Sequence, residues 1–259
     1  MASELFQCTT EGGVALFAIA QSRLNVLPFA AYRSLCEAIV DLVESRRAKV
    51  VVLTGREKAF ISGLDIKDLG SISGPEENTE RTMAIKGLFR RIEALRRPVI
   101  AAVKGNCFGG GLELALSCHL RTASTGALLG LPEIRLGTIP SFGGTQRLAR
   151  LVGTAKALEL MLTGLPVTGE EAHRIGLVNH AWPEEELLPR TLSLASEIAA
   201  KSTRAVEAAV EAAVEGVRQT QARGEELESE LSSTLIGTPG MREGVAAFLE
   251  RRTPVFTDP

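Results

Sequence analysis

The sequence predicts an α/β fold with largely parallel strands, and two observations carry that prediction. Apolar runs of strand length recur through the first half of the chain, and stretches with helical periodicity separate them. After about residue 152 the strand signal nearly disappears, and apolar residues follow a helical spacing. We therefore predict a core over residues 1–182 and a helical region over residues 183–259.

Each predicted element rests on a local pattern. Strands are expected where short runs are apolar or rich in β-branched residues, at residues 14–20, 49–54, 98–103, 119–123 and 127–131. Helices are expected where apolar residues share one face, at residues 29–46, 79–95, 113–117, 155–162, 169–175 and 202–217, and from residue 238 onward. The polar stretch 70–78 contains Gly, Ser and Pro and is expected to be a loop.

Composition narrows the class of protein. Hydrophobic residues make up 45% of the 259 residues, enough for a sizeable core, and the formal net charge of −2 argues against a general nucleic-acid binder. The longest apolar run, residues 14–20, is too short to span a bilayer, and no signal-peptide pattern opens the chain. The four cysteines lack metal-site spacing. We expect a cytoplasmic protein that binds no metal, membrane or nucleic acid.

Two acidic residues in unusual surroundings are the strongest candidates for catalysis. Glu113 and Glu133 lie twenty positions apart, each in an apolar or glycine-rich stretch. A carboxylate with apolar neighbours loses hydration, so it needs a partner or a function. Two such groups that face one water molecule could move a hydroxyl group and a proton together.

The glycine-rich segment at residues 105–111 allows three interpretations. A dinucleotide-binding turn normally has the order G-x-G-x-x-G, whereas this segment has G-x-x-x-G-G-G. A purely structural turn is the second possibility. The third is an oxyanion hole, in which a backbone N–H at a helix N-terminus points to developing negative charge. An oxyanion hole usually needs a second donor, and the N–H of Leu64 is the candidate, because it lies between Gly63 and the potential helix cap Asp65. The alternative is that Gly63 only forms a turn and Asp65 only caps the helix.

Four segments, taken together, resemble the crotonase superfamily, the enoyl-CoA hydratases and isomerases. They are AFISGLDI (59–66), IAAVKGNCFGGGLELA (100–115), LPEIRLGTIP (131–140) and GGTQRL (143–148). The resemblance covers nearly the whole chain. It implies a spiral of ββα turns with a helical C-terminal trimerisation region, and a homotrimer or homohexamer.

The resemblance also implies a reaction. The thioester oxygen of an acyl-CoA would lie between the N–H groups of Leu64 and Gly110. Glu113 would activate water and Glu133 would deliver a proton to the α-carbon. Because many family isomerases lack the first acid, the pair favours an enoyl-CoA hydratase, whose coenzyme A is part of the substrate and which needs no other cofactor. The alternatives are an isomerase, a cyclic dienoyl-CoA hydratase, or a non-catalytic acyl-CoA-binding or RNA-associated member.

The same resemblance assigns binding residues. Coenzyme A would contact the loop after the first strand and the segment before Leu64, through Arg23, Leu24, Asn25, Val26, Ser62 and Gly63. Lys67 would meet a phosphate, or it could equally be a solvated helix lysine.

Ser141 and Phe142 are expected at the acyl pocket, where many members have glycine and another small residue. The Ser141 N–H is expected to orient Glu133, and Phe142 is expected to line or crowd the pocket. His119, where aspartate is frequent, is expected to be structural.

Overall fold

The computed structural model describes residues 5–56 and 58–258. The strands are β1 (Phe6–Glu11), β2 (Val14–Ile19), β3 (Val26–Leu27), β4 (Val50–Gly55), β5 (Ala59–Ile61), β6 (Gly63–Leu64), β7 (Val99–Val103), β8 (Asn106–Phe108), β9 (Leu120–Ser124), β10 (Leu128–Gly130), β11 (Val167–Thr168) and β12 (His180–Trp182). The helices are α1 (Phe29–Glu44), α2 (Ile66–Gly70), α3 (Pro75–Glu93), α4 (Gly110–Ser117), α5 (Gly144–Val152), α6 (Thr154–Thr163), α7 (Gly169–Arg174), α8 (Glu184–Ala199), α9 (Thr203–Gly216), α10 (Gln221–Ser233) and α11 (Pro239–Glu250). A 3₁₀ helix, η1, covers Pro132–Leu136.

The strands form three sheets. A six-stranded sheet has the order β1-β2-β4-β7-β9-β12, a four-stranded sheet has the order β11-β10-β8-β5, and β3 pairs with β6. Within the six-stranded sheet only the β1–β2 pair is antiparallel. Strands β4 and β7 are buried along their whole length, as expected of apolar strands covered on both faces.

The chain alternates between the two larger sheets and so forms a spiral. Strands β4, β7 and β9 join the six-stranded sheet, and the strands that follow them, β5, β8 and β10, join the four-stranded sheet. A helical segment follows each pair, beginning with α2, α4 and η1 respectively. The predicted α/β class with ββα turns is therefore confirmed.

The two faces of the six-stranded sheet pack against different helices. Helices α1, α3 and α4 contribute to the main hydrophobic core on one face. On the other face Val50, Val52 and Ile100 pack with Ala195 and Ala199 of α8. The C-terminal helices thus begin with one that covers the sheet. On α11, by contrast, Phe248 is 83% exposed. The division at residues 182 and 183 stays a prediction.

The described part of the chain contains neither a bilayer-spanning helix nor a group of three or more side chains suited to a metal ion. All four cysteines are free thiols, with Cys8 exposed and Cys36, Cys107 and Cys118 buried. Burial raises the pKa of the Cys118 thiol to about 12, so this group stays protonated at neutral pH.

Asn25 holds the loop after β2 against the four-stranded sheet. The residue is fully buried and has φ of 49°, a conformation that Asn tolerates better than most residues. Its Nδ2 group donates to the carbonyl oxygens of Ile19, Ala59 and Phe60 at 3.3, 3.0 and 3.1 Å. Its Oδ1 atom accepts the Ser22 N–H at 3.3 Å. One amide therefore ties the loop to both β2 and β5.

We predict that Asn25→Gly lowers the free energy of unfolding by about 2–3 kcal/mol, because buried carbonyl groups lose their donor and glycine adds unfolded-state entropy. Glycine keeps the positive φ accessible, so the loss reports the amide. Urea unfolding followed by circular dichroism measures the change. Arg23→Ala, on the exposed part of the same loop, is the control and should change stability by less than about 0.5 kcal/mol. Equal stabilities for the two variants would contradict this role.

Candidate active site

The predicted acids and backbone amides line one cleft. Its volume is about 1660 Å³, and its walls include Leu64, Gly110, Glu113 and Glu133. The walls come from β6, α3, the first turn of α4, η1 and the loop before α5. Ser62, Gly63, Ser141 and Phe142 also line it. The spiral therefore gathers residues that lie far apart in the sequence.

Glu113 is a buried carboxylate held by main-chain donors. It lies in the first turn of α4 and is 1% exposed. Its Oε1 atom accepts the N–H groups of Phe142 and Gly144, both at 2.7 Å. The pKa of Glu113 is raised to about 7, because burial and the nearby charge of Glu133 together outweigh the lowering effect of the two N–H donors. Glu113 can therefore exchange a proton near neutral pH.

Glu133 faces the same cleft with fewer donors. It is half-buried on η1, and its Oε2 atom is buried with no hydrogen-bond partner among the described residues. Burial raises the pKa of Glu133 to about 7. A buried carboxyl oxygen without a partner is costly unless a ligand or water meets it, which suits a group that contacts substrate.

The N-terminus of α4 presents a backbone amide beside these acids. Gly109 has φ of +51°, and a Cβ atom there would come 3.0 Å from Glu133 Oε1. Gly110 begins the helix, so its N–H has no acceptor within the helix. Strand β8 lies inside the glycine-rich segment, so the segment is not the continuous loop of a dinucleotide motif.

Tyr32, which the sequence interpretation did not identify, packs directly behind this amide. A Cβ atom at Gly110 would come 2.7 Å from the Tyr32 hydroxyl oxygen, so only glycine fits. The hydroxyl is buried with no hydrogen-bond partner in the part of the chain that the structure describes. The position of Tyr32 behind Gly110 depends on the packing of α1 against α4, so no local sequence pattern predicts it.

The Leu64 amide is the expected second donor. Strand β6 pairs in parallel with β3, and the Asp65 N–H donates to the Leu27 oxygen at 2.9 Å. Because N–H directions alternate along a strand, the Leu64 N–H points away from β3. The Asp65 side chain accepts the Lys67 N–H at 2.9 Å, which confirms the predicted helix cap. The meeting of the Leu64 and Gly110 amides at one oxygen stays a prediction.

The two segments assigned to coenzyme A lie side by side. The Ser62 N–H donates to the Leu24 oxygen at 3.2 Å, and Val26 pairs with Gly63. Arg23, Leu24 and Val26 are exposed, and Lys67 is exposed on α2. Among the described residues the Ser62 hydroxyl is buried without a hydrogen-bond partner. The Asn25 side chain is buried and donates to the Ala59 and Phe60 oxygens of β5, so a contact of this residue with coenzyme A stays a prediction for the loop backbone.

Phe142 forms a wall of the cleft and belongs to the core. Its ring is 2% exposed and packs against Phe29, Tyr32 and Phe89 with centroid separations of 5.8, 5.7 and 6.0 Å. The expectation that the Ser141 N–H orients Glu133 was wrong. The loop donates its hydrogen bonds to Glu113 through Phe142 and Gly144.

An ion pair that sequence reasoning missed anchors this loop. Arg147 donates to the Phe142 oxygen at 2.8 Å and to both Glu93 oxygens at 2.7 and 3.0 Å. Arg147 therefore joins α3, α5 and the loop before α5, whose N–H groups hold Glu113. His119 has a structural contact, since its Nδ1 atom accepts the Val99 N–H at 3.0 Å, and burial lowers the pKa of the ring.

Comparison with known proteins agrees with this geometry. The model of the family described as "Enoyl-CoA hydratase/isomerase" matches residues 9–259. A probable enoyl-CoA hydratase of Bacillus subtilis is 36% identical over 94% of this chain and 95% of its own length. A probable mitochondrial enoyl-CoA hydratase of Dictyostelium discoideum is 38% identical over 96% of this chain and 90% of its own. The crystal structure of enoyl-CoA hydratase from Bacillus anthracis superimposes with a TM-score of 0.92, at 32% identity, over 98% of this chain and 100% of that one. The chain therefore belongs to the enoyl-CoA hydratase/isomerase family of the crotonase superfamily.

Proposed function

We propose that the protein is an enoyl-CoA hydratase, which adds water reversibly across the 2,3 double bond of an enoyl-CoA thioester. One observation carries the proposal: two carboxyl groups with raised pKa values line one cleft beside a helix-terminal amide. Relatives named as enoyl-CoA hydratases support an acyl-CoA substrate. Coenzyme A enters as part of the substrate, and the chemistry below requires no further cofactor.

The backbone amides would stabilise the negative charge that forms during addition. The thioester oxygen accepts the N–H groups of Leu64 and Gly110, which makes the β-carbon electrophilic. After water attacks, the enolate oxygen keeps these two donors. Fixed donors of this kind each contribute about 10²–10³ in rate, because they need no reorganisation in the transition state.

The two glutamates would divide the proton transfers. Glu113 is the better base, because two N–H donors stabilise its ionised form. It accepts a proton from the water that attacks the β-carbon. Glu133, whose Oε2 atom has no donor among the described residues, is the better acid and delivers its proton to the α-carbon. Repulsion between the two carboxylates favours the state in which only one is charged.

Retention of both acids favours hydration over the related family reactions. An isomerase moves a proton between carbons and does not need a base to activate water, so loss of Glu113 should affect it less. A binding protein without activity would neither add water nor exchange the α-proton. Hydration assays on straight-chain and cyclic substrates separate these alternatives.

Assembly, coenzyme A contacts and location are part of the same proposal. We expect a homotrimer or homohexamer in the cytoplasm, in which exposed apolar residues of α11, such as Phe248 and Leu249, become covered. The nucleotide and pantetheine would run along the adjacent segments that contain Arg23–Val26 and Ser62–Gly63. Light scattering in solution measures the assembly.

We predict that Glu113→Gln and Glu133→Gln each lower kcat for crotonyl-CoA hydration by about 10²–10⁴, because each removes one proton transfer while keeping side-chain size. Glu76→Gln, an exposed change on α3 away from the cleft, is the control. Loss of the enoyl thioester absorbance measures the rate. Near-normal hydration by Glu113→Gln would refute the assigned base.

The rate should follow a bell-shaped pH profile with its maximum near neutral pH. Both pKa values are raised to about 7, so at acidic pH both carboxyl groups are protonated and no base remains. At alkaline pH both are ionised and no acid remains. Measurement of kcat/KM against pH tests this, and a rate that stays flat from acidic to alkaline pH would contradict it.

We predict that Phe142→Leu increases kcat/KM for longer enoyl-CoA chains relative to crotonyl-CoA by about tenfold, because a hydrophobic wall of one side chain discriminates by 1–3 kcal/mol. The main-chain N–H at position 142 is kept, so Glu113 stays held. Phe89→Leu, in the same aromatic cluster but outside the cleft lining, is the matched control. An equal change in both variants would show that core packing, not the wall, sets the preference.

A further inference from the structure

One end of the cleft carries positive charge that the protein itself does not neutralise. Lys86 and Arg90 of α3 and Arg150 of α5 line this end. Within the described residues, no carboxylate pairs with Lys86 or Arg90. Arg150 donates to the backbone and side-chain oxygens of Gln146, at 2.9 and 3.1 Å, which are uncharged. We call Lys86, Arg90 and Arg150 the cationic end.

Glu93, which lines the same cleft near the end of α3, is already shared by two other arginines. Both oxygens of Glu93 accept hydrogen bonds from Arg147, at 2.7 and 3.0 Å. Its Oε2 atom also accepts from Arg218 at 3.2 Å. The charge of Glu93 is therefore compensated, and the cationic end keeps a net positive charge.

The cationic end lies away from the segments assigned to coenzyme A. The first turns of α3 adjoin α2, where Arg81 donates to the Ser71 hydroxyl at 3.5 Å. Helix α2 begins two residues after Leu64. At the helical rise of 1.5 Å per residue, Arg90 lies about 16 Å along α3 from Thr79. Under the proposed function, we therefore expect the nucleotide at the opposite end of the cleft.

Helix α5 also places the cationic end away from the segments assigned to coenzyme A. Gly144 begins α5 and holds Glu113 at 2.7 Å. Arg150 lies six residues further along, which is about 9 Å beyond the reacting centre. Arg147, between them, reaches Glu93 at the end of α3. The later turns of α3 and α5 thus lie at the end of the cleft where the proposed function would place the acyl tail.

We propose that the acyl group of the substrate ends in a carboxylate, so that the enoyl-CoA derives from a dicarboxylic acid. This inference rests on the proposed hydratase function. The thioester lies at the backbone amides, the double bond lies between the glutamates, and the distal carboxylate lies at the cationic end. Lys86 and Arg90 bind it through charge-assisted hydrogen bonds, and Arg150 adds to the attraction. An uncharged tail makes no such bonds.

The test compares matched substrates, each a trans-2-enoyl-CoA that ends either in a carboxylate or in its methyl ester, over several chain lengths. The measured quantity is the ratio of kcat/KM for acid to ester. At the best length we expect a ratio of roughly five to ten, from one or two partly solvated ion pairs. Lys86→Met and Arg90→Met should each lower the ratio, and the double variant should bring it near one.

Arg91→Met is the control, because Arg91 pairs with Glu44 at 3.4 Å on the other side of α3 and should leave the ratio unchanged. A ratio of one or less in the unchanged chain overturns the proposal. So does an equal loss for acid and ester in the variants, which would assign the cations to coenzyme A phosphates. If no substrate is hydrated, the hydratase function fails, and calorimetric binding of the saturated acid and ester pair still decides whether the cationic end selects a carboxylate.

Discussion

The burial of the Glu113 carboxylate is the constraint on which the rest of the site depends. A buried carboxylate needs donors, and the loop before α5 supplies two backbone N–H groups at 2.7 Å. That loop is held in turn by Arg147, whose guanidinium spans the Phe142 carbonyl and Glu93. Glu113, the loop and the end of α3 are therefore one connected unit, and displacement of any part would leave a buried charge without its partner.

The spiral explains why such distant segments meet. Each turn contributes a strand to each larger sheet before a helical segment begins, so α2, α4 and η1 start at corresponding positions of successive turns. Those starting positions hold Leu64 just before α2, Gly110 at the first residue of α4, and Glu133 on η1. Leu64, Gly110 and the two glutamates thus line one cleft through the repetition of one structural unit.

Local sequence patterns correctly predicted the elements that depend mainly on neighbouring residues in the sequence, such as buried apolar strands and a helix cap. The apolar runs of β2, β4 and β7 are buried strands, and the Asp65 cap forms as expected. Other features depend on distant partners. Strand β1 has a polar, exposed sequence and is defined only by its pairing with β2. Helix α3 begins at Pro75, four residues before the prediction, because proline and acidic residues favour a helix N-terminus. The structural roles of Tyr32, Asn25 and the Arg147–Glu93 pair could not be predicted for the same reason, because they depend on contacts with residues that are distant in the sequence.

Residue 142 separates two properties that evolution could change independently. Its main chain donates an N–H to the Glu113 carboxylate, which any amino acid except proline can do. Its side chain shapes the neighbouring wall. Substitutions at this one codon could therefore diversify the molecules that are accepted without dismantling the chemistry, which offers a simple route by which duplicated copies of such a gene acquire new metabolic roles.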